Sequence, residues 1–350
     1  MKLGFFSPYL DTFGGGERYM LTLASHFSQN KDVDIFWDQP KIKSLLSRFL
    51  KIDLSKTSFV NNIFTQSNLK KIQRTRSYNC IFVLSDGSIP LSFARKNILH
   101  FQVPFSFEKP NLKTKLKLKR YKYIVCNSAF TKGYIDKSFN VSSRVIYPPV
   151  DVVSIQPAKK EKIIISVGRF GPHQLHPKKQ EVLIEVFKEL SKKAPGWKFV
   201  LAGQAKKSDE KYLNSLKRTS RGFAIRIVQN MPIEKLRKLY SQSSIYWHAT
   251  GFGEDENKNP EKMEHFGIST VEASAAGAVP VVIGLGGQKE IVKNGVNGLL
   301  WTTKAELFEN TLNLINNPAK LEQLSKRAVQ NSKRFSEEVF FKEYEKIFLS

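Results

Sequence analysis

The chain has 350 residues, of which 41% are hydrophobic and 12% aromatic, with a net charge of +25. This composition excludes a disordered chain and holds enough apolar material for two domain cores. The excess of Lys and Arg creates a positive field that attracts nucleic acid, anionic lipid or phosphate-bearing substrates without choosing among them.

From the N-terminus, "MKLGFFSPYL" has no long apolar segment of the leader type and reads as a first strand. No run approaches the roughly 18 apolar residues of a membrane span. The expectation is a cytoplasmic protein, soluble or peripheral on the cytoplasmic membrane face. Apolar runs at 2–8, 33–38, 80–86, 97–104, 123–128 and 144–149 form a first series of expected strands. Runs at 162–168, 198–203, 225–230, 244–250 and 279–284 form a second. Helical patterns separate most of them, such as Gln180–Lys193 and Pro232–Ser241. Near-continuous apolar strands alternating with helices imply parallel sheets covered on both faces. Two series predict two doubly wound α/β domains, 1–149 and 150–334, joined at the stiff "YPPVD". Phe335, Val339, Phe340, Tyr344 and Phe348 are spaced for a terminal helix over 335–350, which would pack back on the first domain. Cys80 and Cys126 lie in apolar strand-like runs and read as buried thiols.

Ligands of open α/β folds bind beyond the carboxyl ends of strands, and with two facing domains the cleft between them is the expected site. The loops after strands are therefore where chemistry is sought. "DTFGGGERYML" follows the first strand. Gly14, Gly15 and Gly16 allow close backbone approach, and the helix beyond offers N–H groups to an anion, although the turn is not G-x-G-x-x-G. In "SVGRFGPHQLHPKKQEVLIEVF", Arg169 follows a strand and Lys178 stands at a helix start, an arrangement suited to a diphosphate. Lys179 is an alternative to Lys178. His100 closes "ILHFQVPF". In "MEHFGISTVEASAAG", Glu264 precedes a turn and Glu272 lies just inside a helix. Ser269-x-x-Glu272 matches a capping box, so Glu272 reads either as a helix cap or as a ligand contact. The acidic "GEDEN" before Glu264 reads as a solvated loop.

These motifs, in this order, resemble the family 4 retaining glycosyltransferases of the GT-B fold. "GGGER" resembles the family's glycine loop, and "NSAFTKGYI" with "YPPVD" the segments leading to the linker. "VGRF…KKQEVLIEVF" resembles its G-R…K-G-x-x-x-L-I-E-A-F signature. Glu264 and Glu272 resemble its E-x7-E motif, and "GGQKEIVKNGVNGLL" the stretch that follows. The "EHFGISTVEASAAG" region, preceded by "YWHATGFGED", is most similar to α-1,2-mannosyltransferases of lipid-linked oligosaccharides and their bacterial relatives.

The resemblance implies GT-B architecture and retaining transfer of a hexose. Mannose from GDP-mannose is favoured, with a UDP-sugar as the alternative. By matching position, Arg169 and Lys178 would bind the donor diphosphate, helped by Gly15 and Gly16. Glu272 would bind the ribose. Glu264, with the amides of His265, Phe266, Gly267 and Ile268, would hold the transferred sugar, and His100 would sit beside it. Two departures stand out: Lys179 occupies a place where the family often has Gly, and the loop Phe170–Pro177 is longer than usual. With no D-x-D in a matching place, neither a metal nor a cofactor is expected beyond the nucleotide-sugar substrate.

The acceptor is expected to be a glycan or a lipid-linked molecule. The basic, leucine-containing Glu108–Tyr123, with Lys113–Lys122 at its centre and "VPFSF" before it, is expected to meet an anionic membrane surface. A nucleic-acid partner is not expected, because the charge is spread along the chain and no recognition motif appears.

Overall fold

The computed structural model describes residues 1–105 and 110–349. Residues 106–109 of the expected membrane segment lie outside them. The chain divides into two compact units: Met1–Pro149 with Glu338–Ser350, and Val150–Glu337.

In the first unit, strands β1 (Lys2–Phe6), β2 (Asp32–Phe36), β3 (Ser58–Val60), β4 (Cys80–Ser85), β5 (Lys96–Phe101), β6 (Tyr123–Cys126) and β7 (Arg144–Val145) form one sheet in the order β3-β2-β1-β4-β5-β6-β7. Its neighbouring strands pair in parallel. Parallel strands are flanked by helices on both faces, which is why "CIFVLS" is buried at all six positions. The second unit is built alike, from β8 (Glu161–Val167), β9 (Lys198–Gly203), β10 (Ile225–Gln229), β11 (Ser243–His248), β12 (Val279–Ile283) and β13 (Leu299–Trp301), in the order β10-β9-β8-β11-β12-β13. Its core gathers Ile164, Leu183, Phe187, Phe199, Trp247 and Trp301.

Several expected strands end earlier than their apolar runs. β7 is only Arg144–Val145, because Pro148 and Pro149 have no N–H to continue a ladder. β5 stops at Phe101, before Pro104. β3 and β13, three residues each, carry too short a pattern to be read in advance.

The terminal helix Glu337–Leu349 closes the first unit. Tyr344, Ile347 and Phe348 join its core. The Tyr344 hydroxyl lies 2.8 Å from that of Tyr19, and the Phe348 ring is 4.4 Å from Phe27. Two of the five residues expected on its buried face are not there. Val339 is exposed, and Phe335 lies in a 3-10 turn with its ring 5.2 Å from Phe266. Cys80 and Cys126 are buried, and burial pushes both thiols up to about 12.

Candidate functional site

The second unit gathers most of the expected residues at the carboxyl ends of its strands. β8 ends at Val167, and Arg169 follows with an exposed side chain that makes no ion pair among the described residues. Its carbonyl accepts hydrogen bonds from Gln174 Nε2 and Gln180 Nε2 at 3.2 and 3.1 Å, which anchors the long loop to the strand end. The Lys178 stem lies across Gly168, where a Cβ would stand 2.8 Å from Lys178 Cγ. Only a glycine there lets the lysine run past the strand end. Lys179 precedes the helix Gln180–Lys193 with φ 51°, in the left-handed region. That conformation accounts for the glycine expected at this position: without a Cβ it costs nothing, whereas lysine must bear the strain.

Glu264 is the best-held charge of the group. Its Oε2 accepts from Lys178 Nζ at 2.6 Å and lies 2.9 Å from His248 Nε2. Burial alone would raise its pKa. The Lys178 ammonium and the His248 hydrogen bond reverse this and hold the carboxyl well below its usual range. The backbone is fixed as well, since Gly287 N–H donates to the Glu264 carbonyl at 2.8 Å. Here "GGQKE" shows its purpose. A Cβ on Gly286 would stand 2.4 Å from the Glu264 carbonyl oxygen, and one on Gly287 2.5 Å from that of His265. The glycine pair lets two loops pack backbone to backbone beneath the carboxylate.

The helix Ile268–Ala275 begins after Gly267, whose φ is 120°. The expected capping box is not formed. Among the described residues no side chain caps this helix, because the turn enters through Gly267 and places Ser269 one residue inside. Ser269 Oγ instead meets Tyr246 OH at 2.8 Å, and Thr270 Oγ1 donates to Gln288 Oε1 at 2.9 Å. Glu272 Oε2 accepts from the buried Tyr240 hydroxyl at 3.1 Å. The bland reading of Glu272 as a capping partner is therefore removed. His265 is nearly buried, with its Nε2 3.0 Å from the Glu261 carbonyl oxygen and its ring 4.9 Å from that of His176.

The acidic "GEDEN" loop is also more engaged than expected. Glu254 pairs with Lys262 at 2.9 Å and Lys179 at 3.4 Å. Glu256 takes the Gly286 amide and Lys289, each at 2.8 Å. These bonds tie the loop to the glycine pair. Among the described residues, no group of three or more His, Cys, Asp or Glu side chains is placed to hold a metal ion.

His248, Tyr240 and Tyr246 were not singled out from sequence. Only the histidine in "YWHATGFGED" offered a signal, and a histidine within an apolar strand ordinarily reads as core.

In the first unit, Gly15 and Gly16 are the opening residues of the helix Gly15–Ser28. Its N-terminus already holds an internal carboxylate: Glu17 Oε2 accepts from the Gly14 amide at 2.6 Å and from Thr12 Oγ1 at 2.9 Å. His100, expected beside the sugar, is fully buried in β5 and stacked on Tyr19 with ring centroids 4.0 Å apart. Its Nε2 lies 3.2 Å from Gln102 Nε2. Burial pushes its pKa down to about 3, so the ring is neutral.

The family model described as "Glycosyl transferases group 1" matches residues 151–333, more than half of the chain. A human relative, GDP-Man:Man(3)GlcNAc(2)-PP-Dol alpha-1,2-mannosyltransferase, is 28% identical over 65% of this chain and 47% of its own length. The chain thus spans about half the length of these curated relatives. Among solved structures, Anabaena Alr3699/HepE in complex with UDP and glucose is similar at 18% identity, covering 99% of both chains with a TM-score of 0.72. A glycosyltransferase from Rickettsia africae is similar at 15% identity, covering 99% of this chain and 97% of the other, with a TM-score of 0.75. These likenesses establish the fold, two Rossmann-like units of the GT-B class.

Proposed function

Because this chain belongs to the group 1 glycosyl transferases, we propose that it moves a hexose, mannose from GDP-mannose, to a glycan or lipid-linked acceptor with retention at the anomeric carbon. The observation that carries this reading is the Lys178–Glu264 pair, held over the Gly286–Gly287 turn beside the exposed Arg169. A cation able to reach a diphosphate and a carboxylate able to accept from sugar hydroxyls are already adjacent. In this reading Arg169 and Lys178 stabilise the charge that develops on the leaving diphosphate, which a preorganised site does without reorganising at the moment of reaction. Glu272 binds the ribose. Glu264 and the backbone of His265, Phe266, Gly267 and Ile268 hold the sugar. Gly15 and Gly16 admit the diphosphate, and His100 acts as a neutral group reached through Gln102. No metal is assigned a role. The names of the curated relatives support mannose and a lipid-linked acceptor.

We further propose that the helix Leu112–Leu118 rests on an anionic membrane surface, placing the enzyme peripherally on the cytoplasmic face. Leu112 and Leu116 are 72% and 56% exposed among basic neighbours. Among the described residues, no helix is long and apolar enough to cross a membrane.

The deciding experiment is a donor screen. The purified protein is offered GDP-, UDP- and ADP-sugars with lipid-linked and glycan acceptors, while nucleotide release and thermal shift are followed. GDP-mannose is expected to give both signals. Release with a UDP-sugar alone would move the donor assignment, and no release together with no thermal shift from any nucleotide would overturn the reading.

A further inference from the structure

Two donors converge on a single oxygen of Glu264. Lys178 Nζ and His248 Nε2 both reach Oε2, and among the described residues nothing donates to Oε1. If Lys178 serves the donor diphosphate, it cannot also be the group that fixes Glu264, and something else must keep the carboxylate aimed. We propose that His248 is the positioning residue for Glu264, holding Oε2 through its Nε2–H while Lys178 turns to the diphosphate and Oε1 meets the sugar. The inference rests on the donor reading above.

Three features support it. First, His248 closes β11, a strand hydrogen-bonded on both sides by β8 and β12, and is only 3% exposed. A group on a central strand holds its place when loops move. Second, the tautomer is dictated. A carboxylate only accepts, so Nε2 carries the hydrogen, and the Thr250 hydroxyl oxygen 3.2 Å from the same nitrogen can share it. With Lys178 still beside Glu264 the ring is neutral: burial lowers its pKa, Glu264 offsets only part of that fall, and Lys178 lowers it further. A neutral donor aims the carboxylate without cancelling its charge. Third, Nδ1 is buried and has no hydrogen-bond partner among the described residues. An unsatisfied buried nitrogen is destabilising, and an apolar ring would fill a purely structural position better.

The test has two arms. The first needs no turnover: ring nitrogen NMR of the full-length protein labelled on histidine. The His248 signals should show the Nε2–H tautomer, shift in Glu264→Gln and persist in Lys178→Ala. An Nδ1–H tautomer, or signals indifferent to Glu264→Gln, would overturn the proposal. The second arm uses the donor that the wild type turns over. His248→Phe should lower kcat about 100-fold with donor KM moved less than about threefold, whereas His248→Gln, whose amide can still donate, should stay within about tenfold of wild type. His248→Phe should add nothing to Glu264→Gln. Unchanged kcat in His248→Phe, or equal losses in His248→Phe and His248→Gln that follow the melting temperature, would overturn it. A wild type without turnover on any donor would defeat the donor reading, and the NMR arm would then decide the His248–Glu264 contact by itself.

Discussion

Single side chains in this site are held to very different degrees, and that decides what each can report. Arg169 is exposed and makes no ion pair among the described residues, so its removal should leave the fold alone. Arg169→Ala is expected to lower kcat/KM for the nucleotide-sugar by about 100-fold, the cost of losing one preorganised charge, with an unchanged melting temperature. Glu272 accepts from Tyr240, and a glutamine can accept the same bond. Glu272→Gln should therefore keep its stability while donor binding weakens about tenfold or more, the usual size of a lost charged hydrogen bond. Titration calorimetry beside a thermal melt separates the outcomes, and a lower melting temperature with full donor affinity would make Glu272 structural. The positions of these residues were legible, because charged residues after apolar runs mark strand ends. The partners were not. Lys178 and Glu264 are separated by 86 positions, and nothing local in either segment names the other.

At the scale of elements, strand and helix identity followed from periodicity, while their ends followed from single residues. Pro104, Pro148 and Pro149 shortened the strands before them, and Gly267 moved the helix start so that Ser269 could not cap it. Lys179 shows the reverse case, a side chain tolerated in a conformation that favours glycine. The helix Leu112–Leu118 is capped by Asn111, whose side chain accepts from the Thr114 amide at 2.9 Å. This cap fixes Leu112 and Leu116 one turn apart on an open side, with Lys113, Lys115 and Lys119 also exposed. Pelleting with vesicles containing anionic lipid is expected, falling steeply with salt. The double change Leu112→Ser and Leu116→Ser should weaken it about tenfold or more, given the apolar area withdrawn. Salt-independent absence of binding, or binding indifferent to the double change, would reject the membrane contact.

For the whole molecule, the buried histidines set a pH dependence. His100 is pushed to about 3, and His176 and His248 are also lowered by burial. Below the ordinary value of about 6.5 the unfolded chain takes up protons that these rings refuse, so stability is complete above that pH and falls as the pH drops. His100 alone contributes a slope of about 1.4 kcal/mol per pH unit between roughly 5.5 and 4. Glu264 acts in the same direction at lower pH, because its depressed pKa favours the folded state above the ordinary carboxyl range and loses that advantage on acidification. Denaturant unfolding between pH 7 and 4 should show this decline, and a flat profile would contradict the neutral buried rings. Periodicity and turn chemistry are local, so the two series of buried parallel strands, the glycine and Arg/Lys loops after them and the two glutamates eight positions apart were legible along the chain. Only the folded chain shows that Lys178 and His248 meet on one oxygen of Glu264, that Tyr240 holds Glu272 and that His100 is enclosed. Those contacts depend on which strand ends a parallel sheet brings side by side, and the strand order that does so joins residues remote along the chain.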